Sequence, residues 1–369
     1  MRTYEIAVVD GDGIGREVCQ SALSVVKACP GLADAFRFSA YSAGAEEYRR
    51  SGTAYPDETF QGCRKADAIL HGATGIPGVT YPDGTETGIE FGLQTRFRLD
   101  LYANVRPIKL RPGVESRLRD RKAGDIDYVI IRENTEGMYA ARGSGVVLRD
   151  ETAVDSLVVT RKGIERISRF AFELARTRSG APSDGKKRVT LCDKANVLRS
   201  YAFFRKVFNE VAEQYPDIEA DYAYADAMTC HLIERPEFYD VIVTENMFGD
   251  IISDLAAVTV GSMGMSPSSE LGDSHGFFQA AHGSAPTIAG QNIANPYGTI
   301  LSAASMLQWL GERHQDRRLT QAGVAVENAV NASMGAPGGL TRDLGGQATT
   351  SDVTARVIEA LTKPASAAA

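Results

Sequence analysis

Short apolar runs alternate with helical patterns along most of the chain. The runs are rich in Val and Ile, which predicts strands buried on both faces; they cover residues 5–10, 67–72, 127–132, 187–193 and 239–246. Helices are predicted over residues 17–28, 165–177, 198–214 and 317–333. Strands that alternate with helices in this way indicate an α/β fold built on a largely parallel sheet.

Polar stretches interrupt this pattern at 111–125 and 176–187, and both predict loops. Between Gly143 and Arg161, two β-like runs flank an acidic turn and predict a hairpin. Because an isolated hairpin is only marginally stable in water, we expect this one to be an arm that reaches a second subunit. The tail KPASAAA, residues 363–369, is predicted to be disordered.

Composition narrows the class of protein. The 369 residues, 43% hydrophobic and 24% charged, suit a globular protein long enough for two domains. The net charge of −7 argues against general binding to nucleic acid. No apolar run approaches the ~20 residues that a membrane span requires, and the N-terminus lacks the apolar stretch of a signal peptide. A cytoplasmic protein is therefore expected, and its five scattered cysteines are predicted to be buried thiols.

The segment GDGIG at 11–15 raises the question of a dinucleotide-binding fingerprint. That fingerprint requires glycines at its first, third and sixth positions, and the sixth position here is Arg16. The spacing therefore favours an ordinary glycine-rich turn between a strand and a helix.

Two aspartates lie four residues apart in the apolar segment TENMFGDIISDL. If a helix begins at Gly249, Asp250 and Asp254 project from one face of it. Carboxylates at a strand's end suit Mg²⁺ or Mn²⁺, with Asp226 as a third candidate ligand. An N-terminal cap is the alternative role for Asp250.

Other ionisable side chains also follow predicted strands. Arg132 ends one of them, where open α/β sheets bind ligands, and guanidinium groups suit carboxylates. Lys194 follows another strand, and a partly buried lysine beside a metal can serve as a base. Taken singly, Lys194, Asp226 and Tyr139 fit a satisfied polar group or a helix cap equally well.

Six segments, in order, resemble the β-decarboxylating dehydrogenases that act on isocitrate, homoisocitrate, 3-isopropylmalate and tartrate or D-malate. They are GDGIG (11–15), LDLYANVRP (99–107), RENTEGMY (132–139), DKANVLR (193–199), TENMFGDIISDLAA (244–257) and HGSAPTIAGQNIANPYGTILSAASML (282–307). The resemblance implies a two-domain, three-layer α/β sandwich with a mixed, largely parallel sheet, rather than a standard Rossmann fold. Residues 1–103 and 257–369 would form the cofactor side. Residues 104–256, with the hairpin arm near 143–161, would form the domain for dimerisation, metal and substrate.

The resemblance also implies roles for individual residues. Three arginines would clamp the carboxylates of a substituted malate: Arg96, Arg106 and Arg132. Tyr139 would protonate C3 after decarboxylation, and Lys194 would take the proton of the 2-hydroxyl. Asp250 and Asp254 would hold Mg²⁺ or Mn²⁺ together with Asp226 from the other subunit of a homodimer, whose active sites are shared.

The expected cofactor is NAD, bound without the Rossmann fingerprint. By resemblance, the binding loop comprises His282, Gly283, Ala285, Thr287, Ile288 and Asn295. NAD-specific members carry an acid followed by Ile, and this chain keeps Ile288 but has Thr287 in place of the acid. The segment TRDLGGQATTSD at 341–352 lacks the Tyr and Arg of NADP-specific members, so NAD is favoured and NADP remains an alternative.

Two further departures from the family pattern concern the cofactor and the substrate. Gln279 stands where most members have Glu, near the cofactor. In GIEFGLQTR at 88–96, which corresponds to the helix that contacts the variable substituent, Phe91, Gly92 and Gln94 match neither isopropylmalate nor isocitrate enzymes.

The resulting expectation is NAD-dependent, Mg²⁺- or Mn²⁺-dependent oxidative decarboxylation of a 3-substituted (2R)-malate, a 2-hydroxy di- or tricarboxylic acid. Isocitrate-like and tartrate- or malate-like substrates lead. A 3-isopropylmalate dehydrogenase of leucine biosynthesis, or an enzyme for a malate derivative of a specialised pathway, is the alternative. A non-catalytic regulatory subunit is least favoured, because the expected catalytic and metal-binding side chains are all present.

Overall fold

A computed structural model describes residues 2–363, so the end of the tail predicted to be disordered lies outside the described residues. The chain divides into two compact units. Unit 1 comprises Met1–Asp100, Arg111–Glu115 and Gly261–Ala369, and unit 2 comprises Leu101–Leu110 and Ser116–Val260. The family resemblance led us to expect domain boundaries between residues 103 and 104 and between residues 256 and 257.

Unit 1 contains five strands and seven helices among its described residues. Its strands are β1 (Tyr4–Gly11), β2 (Phe36–Ala40), β3 (Ala68–Ala73), β11 (Pro267–Leu271) and β12 (Gly276–Ala280). Its helices are α1 (Gly15–Lys27), α2 (Ala45–Ser51), α3 (Asp57–Lys65), α4 (Glu90–Arg98), α9 (Tyr297–His314), α10 (Arg317–Gly335) and α11 (Thr350–Thr362).

Unit 2 contains seven strands and four helices. Its strands are β4 (Ala103–Lys109), β5 (Asp127–Glu133), β6 (Val146–Leu148), β7 (Thr152–Val154), β8 (Arg188–Asp193), β9 (Glu219–Tyr224) and β10 (Val241–Thr244). Its helices are α5 (Arg161–Thr177), α6 (Arg199–Ala212), α7 (Ala225–Glu234) and α8 (Asn246–Thr259).

Parallel pairing dominates in both units. In unit 1 the strand order is β2-β1-β3-β12-β11, in which only the β11–β12 pair is antiparallel. In unit 2 the order is β4-β5-β10-β8-β9, in which only the β4–β5 pair is antiparallel. The prediction of a mixed, largely parallel sheet is confirmed.

Unit 2 has helices on both faces of its strands. Ile131 and Val243 belong to the apolar cluster formed with α5 and α6. The alternate positions, Arg132 and Thr244, lie against Gly249 of α8 on the opposite face. Because successive strand residues point to opposite faces, this alternation produces the three layers. It also explains why β5, β8 and β10 are almost wholly buried.

The predicted hairpin is present, since β6 and β7 pair antiparallel and register Val146 with Val154. All six of its strand residues are exposed. Its role as an arm to a second subunit stays a prediction. The prediction of buried cysteines holds for Cys19, Cys29, Cys63 and Cys192 and is wrong for Cys230, which is exposed on α7. Nowhere in residues 2–363 is a helix both long and apolar enough to pass through a membrane.

Candidate active site

The two aspartates lie on α8, but this helix does not begin at Gly249. It begins at Asn246, and the preceding Glu245 is its N-cap. The Glu245 carboxylate accepts hydrogen bonds from the backbone N–H groups of Met247 and Phe248, at 3.1 and 2.8 Å. The expected helix start is therefore wrong by three residues, and the cap alternative for Asp250 is excluded.

Gly249 has a packing role instead. A Cβ atom added there would lie 2.6 Å from Cγ of Arg132, so only glycine lets α8 lie this close to β5. Asp250 and Asp254 follow in the same helix, one turn apart, and share a face.

Two buried arginines surround these carboxylates. Arg132 donates from Nε and Nη2 to Oδ1 of Asn246, at 2.9 and 2.7 Å, and its Nη1 pairs with Asp250. Arg106 lies 3.4 Å from an oxygen of Asp250 and 3.4 Å from an oxygen of Asp254. The structure thus brings four of the predicted site residues together. The two guanidinium groups compensate the negative charge of the two aspartates.

Tyr139 joins this group. Its hydroxyl donates to Oδ2 of Asp250 at 3.2 Å, and its ring centroid lies 5.6 Å from Cζ of Arg132. Burial, followed by the charge of Asp250, raises the pKa of Tyr139, so this hydroxyl keeps its proton over a wider pH range than an ordinary tyrosine. Burial also raises the pKa of Asp254, against the opposing effect of Arg106.

Lys194 and Asp226 form a separate pair. Lys194 directly follows β8, and its Nζ lies 2.5 Å from Oδ1 of Asp226, in the first turn of α7. This hydrogen bond lowers the pKa of Asp226, whose side chain is 71% exposed. In the part of the chain that the structure describes, no group of three or more His, Cys, Asp or Glu side chains is placed to hold a metal. Within one chain, Asp226 therefore does not complete a three-carboxylate site with Asp250 and Asp254.

Sequence reasoning missed three side chains that orient the arginines. Asn246 receives two hydrogen bonds from Arg132, and Asn104 and Ser253 receive hydrogen bonds from Arg106. A signal for Asn104 was present, because it lies two residues before Arg106 on β4 and therefore on the same face.

The third predicted substrate arginine, Arg96, belongs to unit 1. It donates from Nε and Nη2 to the carboxylate of Glu270, at 2.9 and 2.7 Å. Glu270 is fully buried on β11 and also receives a hydrogen bond from Nε2 of Gln279, at 2.9 Å. Sequence reasoning singled out Gln279 but missed the carboxylate that it contacts.

The helix with the unmatched residues is α4, and Phe91 is not on its accessible side. The Phe91 ring is fully buried and packs against Tyr55, His71 and Phe277, with centroids 5.0, 4.9 and 5.7 Å away. The Phe91 ring therefore belongs to the core of unit 1. A Cβ added at Gly92 would meet no atom within 4 Å, so this position faces open space.

The glycine-rich turn supports the predicted cofactor loop. Ile14 donates its backbone N–H to the carbonyl of Ser284 at 2.8 Å, and a Cβ at Gly13 would lie 2.0 Å from that oxygen. The Ser284 hydroxyl donates in turn to the carbonyl of Gly75. Asp12, fully buried, accepts the Gly75 N–H at 2.7 Å. The glycines thus serve the close approach of two loops, which agrees with the failure of the Rossmann fingerprint.

Within this loop, His282 has an unsatisfied ring nitrogen. Burial lowers the pKa of His282, which keeps the ring neutral at pH 7. Its Nδ1 lies 2.9 Å from the carbonyl of Gly283, whereas its buried Nε2 has no hydrogen-bond partner among residues 2–363. Ala285 adopts a φ of 37°, a conformation that side-chain-bearing residues rarely take and that is common at binding sites.

The remaining cofactor candidates differ in environment. Ile288 packs against the cluster that contains Ile14, whereas Thr287 is exposed. The Asn295 amide is engaged at both ends, since it donates to Oδ2 of Asp343 at 2.9 Å and accepts from the Tyr297 N–H at 3.0 Å. Asp343 was missed, although it lies in the TRDLGG segment that the sequence singled out.

Comparison with known proteins identifies the family. The model of the isocitrate/isopropylmalate dehydrogenase family matches residues 5–359. The chain belongs to this family. The predicted recognition is confirmed, and the chain is a β-decarboxylating dehydrogenase that acts on a CH–OH group.

Individual relatives cover nearly the whole chain. A 3-isopropylmalate/3-methylmalate dehydrogenase from Methanocaldococcus jannaschii is 44% identical over 355 residues, 96% of this chain and 98% of the relative. A 3-isopropylmalate dehydrogenase from Corynebacterium glutamicum is 40% identical over 363 residues, 97% of this chain and 99% of the relative. The crystal structure of an isocitrate dehydrogenase from Methylococcus capsulatus superposes with a TM-score of 0.84 at 34% identity, covering 97% of this chain and 99% of that one. The predicted fold class is thereby confirmed.

Proposed function

We propose that the chain catalyses the NAD-dependent oxidative decarboxylation of a 3-substituted (2R)-malate, with Mg²⁺ or Mn²⁺ as the required cation. The observation that carries this proposal is the grouping of Tyr139, Arg106 and Arg132 around Asp250 and Asp254. It combines two guanidinium groups for carboxylates, a protonated phenol and two acidic oxygen ligands in one site.

The donor set fits two of the three carboxylate ligands of a divalent-cation site. Asp250 and Asp254 are 37% and 56% exposed, so their oxygens are accessible from solvent. Carboxylate oxygens are the preferred ligands of Mg²⁺ and Mn²⁺, and Asp226 of the partner subunit would supply the third carboxylate. When bound, the cation would acidify the 2-hydroxyl and stabilise the negative charge that develops as CO₂ leaves.

The side chains of unit 2 then have distinct tasks. Arg106 and Arg132, held by Asn104 and Asn246, orient the carboxylates of the acid. Tyr139, whose hydroxyl lies 3.2 Å from Asp250, donates its proton to C3 after decarboxylation. Lys194 of the partner subunit accepts the proton of the 2-hydroxyl.

Unit 1 would bind the dinucleotide. The unsatisfied Nε2 of His282 suits a hydrogen bond from a bound nucleotide, since buried polar atoms ordinarily have partners. When bound, NAD would accept the hydride from C2. Thr287 carries no charge to repel a 2′-phosphate, so we expect NAD to be preferred over NADP by a modest factor.

The distribution of the proposed catalytic groups supports a homodimer with shared sites. Lys194 and Asp226 contact each other, and Asp226 lies outside any cluster with Asp250 and Asp254 within one chain. The exposed apolar hairpin of β6 and β7 would pack against the partner. Unit 2 would therefore be the dimerisation and metal domain, and unit 1 the cofactor domain.

Among substrates, 3-isopropylmalate is our first candidate. The names of two relatives favour it. Ile89, the exposed N-cap residue of α4, and the open space at Gly92 suit an uncharged alkyl substituent better than a carboxylate. Isocitrate is the second candidate, favoured by the name of the M. capsulatus enzyme.

A substrate panel tests this proposal. The wild-type protein is assayed with 3-isopropylmalate, isocitrate, homoisocitrate, D-malate, tartrate and phosphonomethylmalate, each with NAD and with NADP. We expect reduced dinucleotide to form with at least one acid, to cease in EDTA and to return with Mn²⁺. Inactivity on every acid, or indifference to the chelator, would contradict the proposed function.

A further inference from the structure

Tyr139 lies at the start of an exposed part of unit 2. Residues 138–157, which we call the hairpin segment, include β6 and β7, and all six residues of these strands are exposed. Within the hairpin segment, only Ala141 has a buried side chain. Because so little burial does not fix the position of a segment, the geometry of Tyr139 depends on the contacts at the base of the segment.

A pair of backbone hydrogen bonds closes this base. Gly137 donates its N–H to the carbonyl of Val158 at 2.8 Å, and Val158 donates to the carbonyl of Gly137 at 3.3 Å. Gly137 has a φ of 81°, and a Cβ atom added there would lie 2.7 Å from Oε2 of Glu245. Glycine therefore lets the base lie against the start of α8, the helix that carries Asp250.

The carboxylate of Glu136 closes the base a second time. Its Oε2 accepts the backbone N–H of Thr160 at 2.8 Å, and its Oε1 accepts the hydroxyl of the same residue. Thr160 is the N-cap of α5 and accepts the N–H of Gly163 at 3.0 Å. A Cβ atom added at Gly163 would lie 2.4 Å from Cδ of Glu136, so glycine in the first turn makes room for this carboxylate at the positive end of the helix.

The main chain of Glu136 contacts α8 on the other side. Its carbonyl accepts Nδ2 of Asn246 at 3.0 Å, and Oδ1 of Asn246 accepts the two hydrogen bonds from Arg132. Residue 136 thus contacts α5 through its side chain and α8 through its main chain, directly before the hairpin segment that carries Tyr139. The proposed reaction assigns no task to its carboxylate.

We propose that Glu136 is a positioning residue for Tyr139. By fastening the base of the hairpin segment to Thr160, it holds the phenol at the distance from Asp250 that proton transfer requires. The inference rests on the proposed function, because it takes Tyr139 as the proton donor.

Replacement of this carboxylate should affect turnover more than binding. Glu136→Ala should lower kcat about tenfold, since a small displacement of a catalytic group is costly. KM for the acid should change by less than about threefold, because Arg132 keeps its hydrogen bonds to Asn246. Steady-state kinetics with the best acid of the panel measure both values, and a change confined to KM would overturn the inference.

A double-mutant cycle with Tyr139→Phe separates positioning of the phenol from a general loss of structure. If Glu136 acts through Tyr139, Glu136→Ala should lower kcat by less than about twofold once the hydroxyl is absent. An equal loss in both backgrounds would overturn the inference. If Glu136→Ala fails to fold, as circular dichroism would show, Thr160→Val takes its place in the cycle, because it removes the hydroxyl that Glu136 accepts.

The matched control removes a similar carboxylate from unit 1. Asp316 is the N-cap of α10 and accepts the N–H of Arg318 at 3.1 Å and the hydroxyl of Tyr4 at 3.2 Å. Asp316→Ala should lower the melting temperature by a few degrees, as Glu136→Ala does, and leave kcat within about twofold of wild type. A tenfold loss of kcat in the control would overturn the inference, because it would show that kcat follows stability alone.

Hydrogen exchange separates this inference from the proposed function, because it needs no turnover. In Glu136→Ala, the amides of residues 137–142 should exchange about tenfold faster than in wild type, and in Asp316→Ala they should exchange at the wild-type rate. Mass spectrometry of peptides from this region measures the rates. Unchanged exchange, or faster exchange throughout unit 2, would overturn the role of Glu136, whereas a wild type inactive on the whole panel would overturn the proposed function.

Discussion

The two units differ most in the apolar side chains that they expose. Of the fourteen large hydrophobic side chains exposed within residues 2–363, twelve belong to unit 2 and two, Ile89 and Val324, to unit 1. Single exposed apolar residues are ordinary on a protein surface, whereas a concentration of them marks an interaction site. Those of unit 2 include residues of the hairpin and of α7 and α8, the two helices that carry the proposed metal ligands.

The two units also differ in how exposed their charged groups are. In unit 1, the positive charge of Arg96 is balanced by a buried carboxylate of the same unit. In unit 2, Asp250 and Asp254 remain partly exposed beside two buried arginines. The partly exposed carboxylates of unit 2 agree with the proposed cation site, whereas the Arg96–Glu270 pair of unit 1 is mostly buried.

The largest expected effect comes from the charged groups of unit 2. Asp250→Asn and Lys194→Ala should each lower kcat by about a thousandfold or more, because one removes a cation ligand and a partner of Tyr139 and the other removes the base. Formation of reduced dinucleotide at saturating acid measures this loss, and circular dichroism reports the fold. Full activity in either variant would contradict the assigned roles.

Replacing exposed apolar side chains by acidic ones, in unit 2 and in unit 1, tests whether the exposed apolar groups of unit 2 form a dimer contact. Val147→Asp on the hairpin and Ile233→Glu on α7 alter side chains that are 67% and 50% exposed. If unit 2 forms the dimer contact, burying the new charge should weaken the dimer about a hundredfold. Sedimentation velocity over a concentration series measures the dissociation.

The matched control is Val324→Glu on α10 of unit 1, where the exposed fraction is 48%. It should leave the dimer unchanged. Equal dissociation by Val324→Glu, or none by the two variants of unit 2, would remove the basis of the comparison.

A change in unit 1 should affect the cofactor alone. Thr287→Asp should raise the preference for NAD over NADP about tenfold, because a carboxylate accepts hydrogen bonds from ribose hydroxyls and repels a 2′-phosphate. Kinetics with both cofactors measure it, with Thr287→Asn as the uncharged control. An altered KM for the acid, with unchanged cofactor preference, would show that this loop has another role.

The smallest expected effect concerns stability, to which one buried group in each unit contributes with an opposite dependence on pH. Burial raises the pKa of Glu133 in unit 2 from 4.5 to about 7, so its contribution to stability falls as the pH rises through that interval. Burial lowers the pKa of His71 in unit 1 from 6.5 to about 4, so its contribution falls as the pH drops through that interval.

Two variants isolate these contributions. Glu133→Gln should raise the melting temperature relative to wild type by about 5 °C at pH 8, with a smaller difference at pH 5. His71→Asn, which keeps a donor toward the carbonyl of Val9, should flatten the loss of stability between pH 6.5 and 4. Parallel pH profiles of each variant and the wild type would contradict these assignments.

Local sequence pattern predicted most of the architecture. The strands around residues 127–132 and 239–246 and the hairpin were predictable because buried parallel strands and turns have distinct compositions. The start of α8 was not, because Gly249 resembles a helix boundary and is in fact required by the close approach of Arg132. The burial of Phe91 was not predictable either, because sequence spacing does not show which side of a short helix faces the core.

The candidate site was predictable only where motif residues carry the chemistry themselves. Arg132, Tyr139 and Asp250 were named from sequence and lie together. Glu270 and Asn246 were not, because they meet their arginines over 174 and 114 residues of sequence, and only tertiary structure brings them into contact.

The central claim is that each active site takes Asp250 and Tyr139 from one subunit and Lys194 and Asp226 from the other. Complementation tests it most directly. Asp250→Asn and Lys194→Ala, each inactive alone, are mixed in equal amounts, dissociated and reassociated. Half of the dimers then contain one subunit of each variant. Each of these heterodimers has one site with all four side chains intact.

Such a shared site predicts recovery of about one quarter of the wild-type activity in the mixture. If each subunit formed its whole site alone, every site in the mixture would carry one of the two substitutions. No recovery, with mixed dimers demonstrated by mass spectrometry, would contradict the shared site.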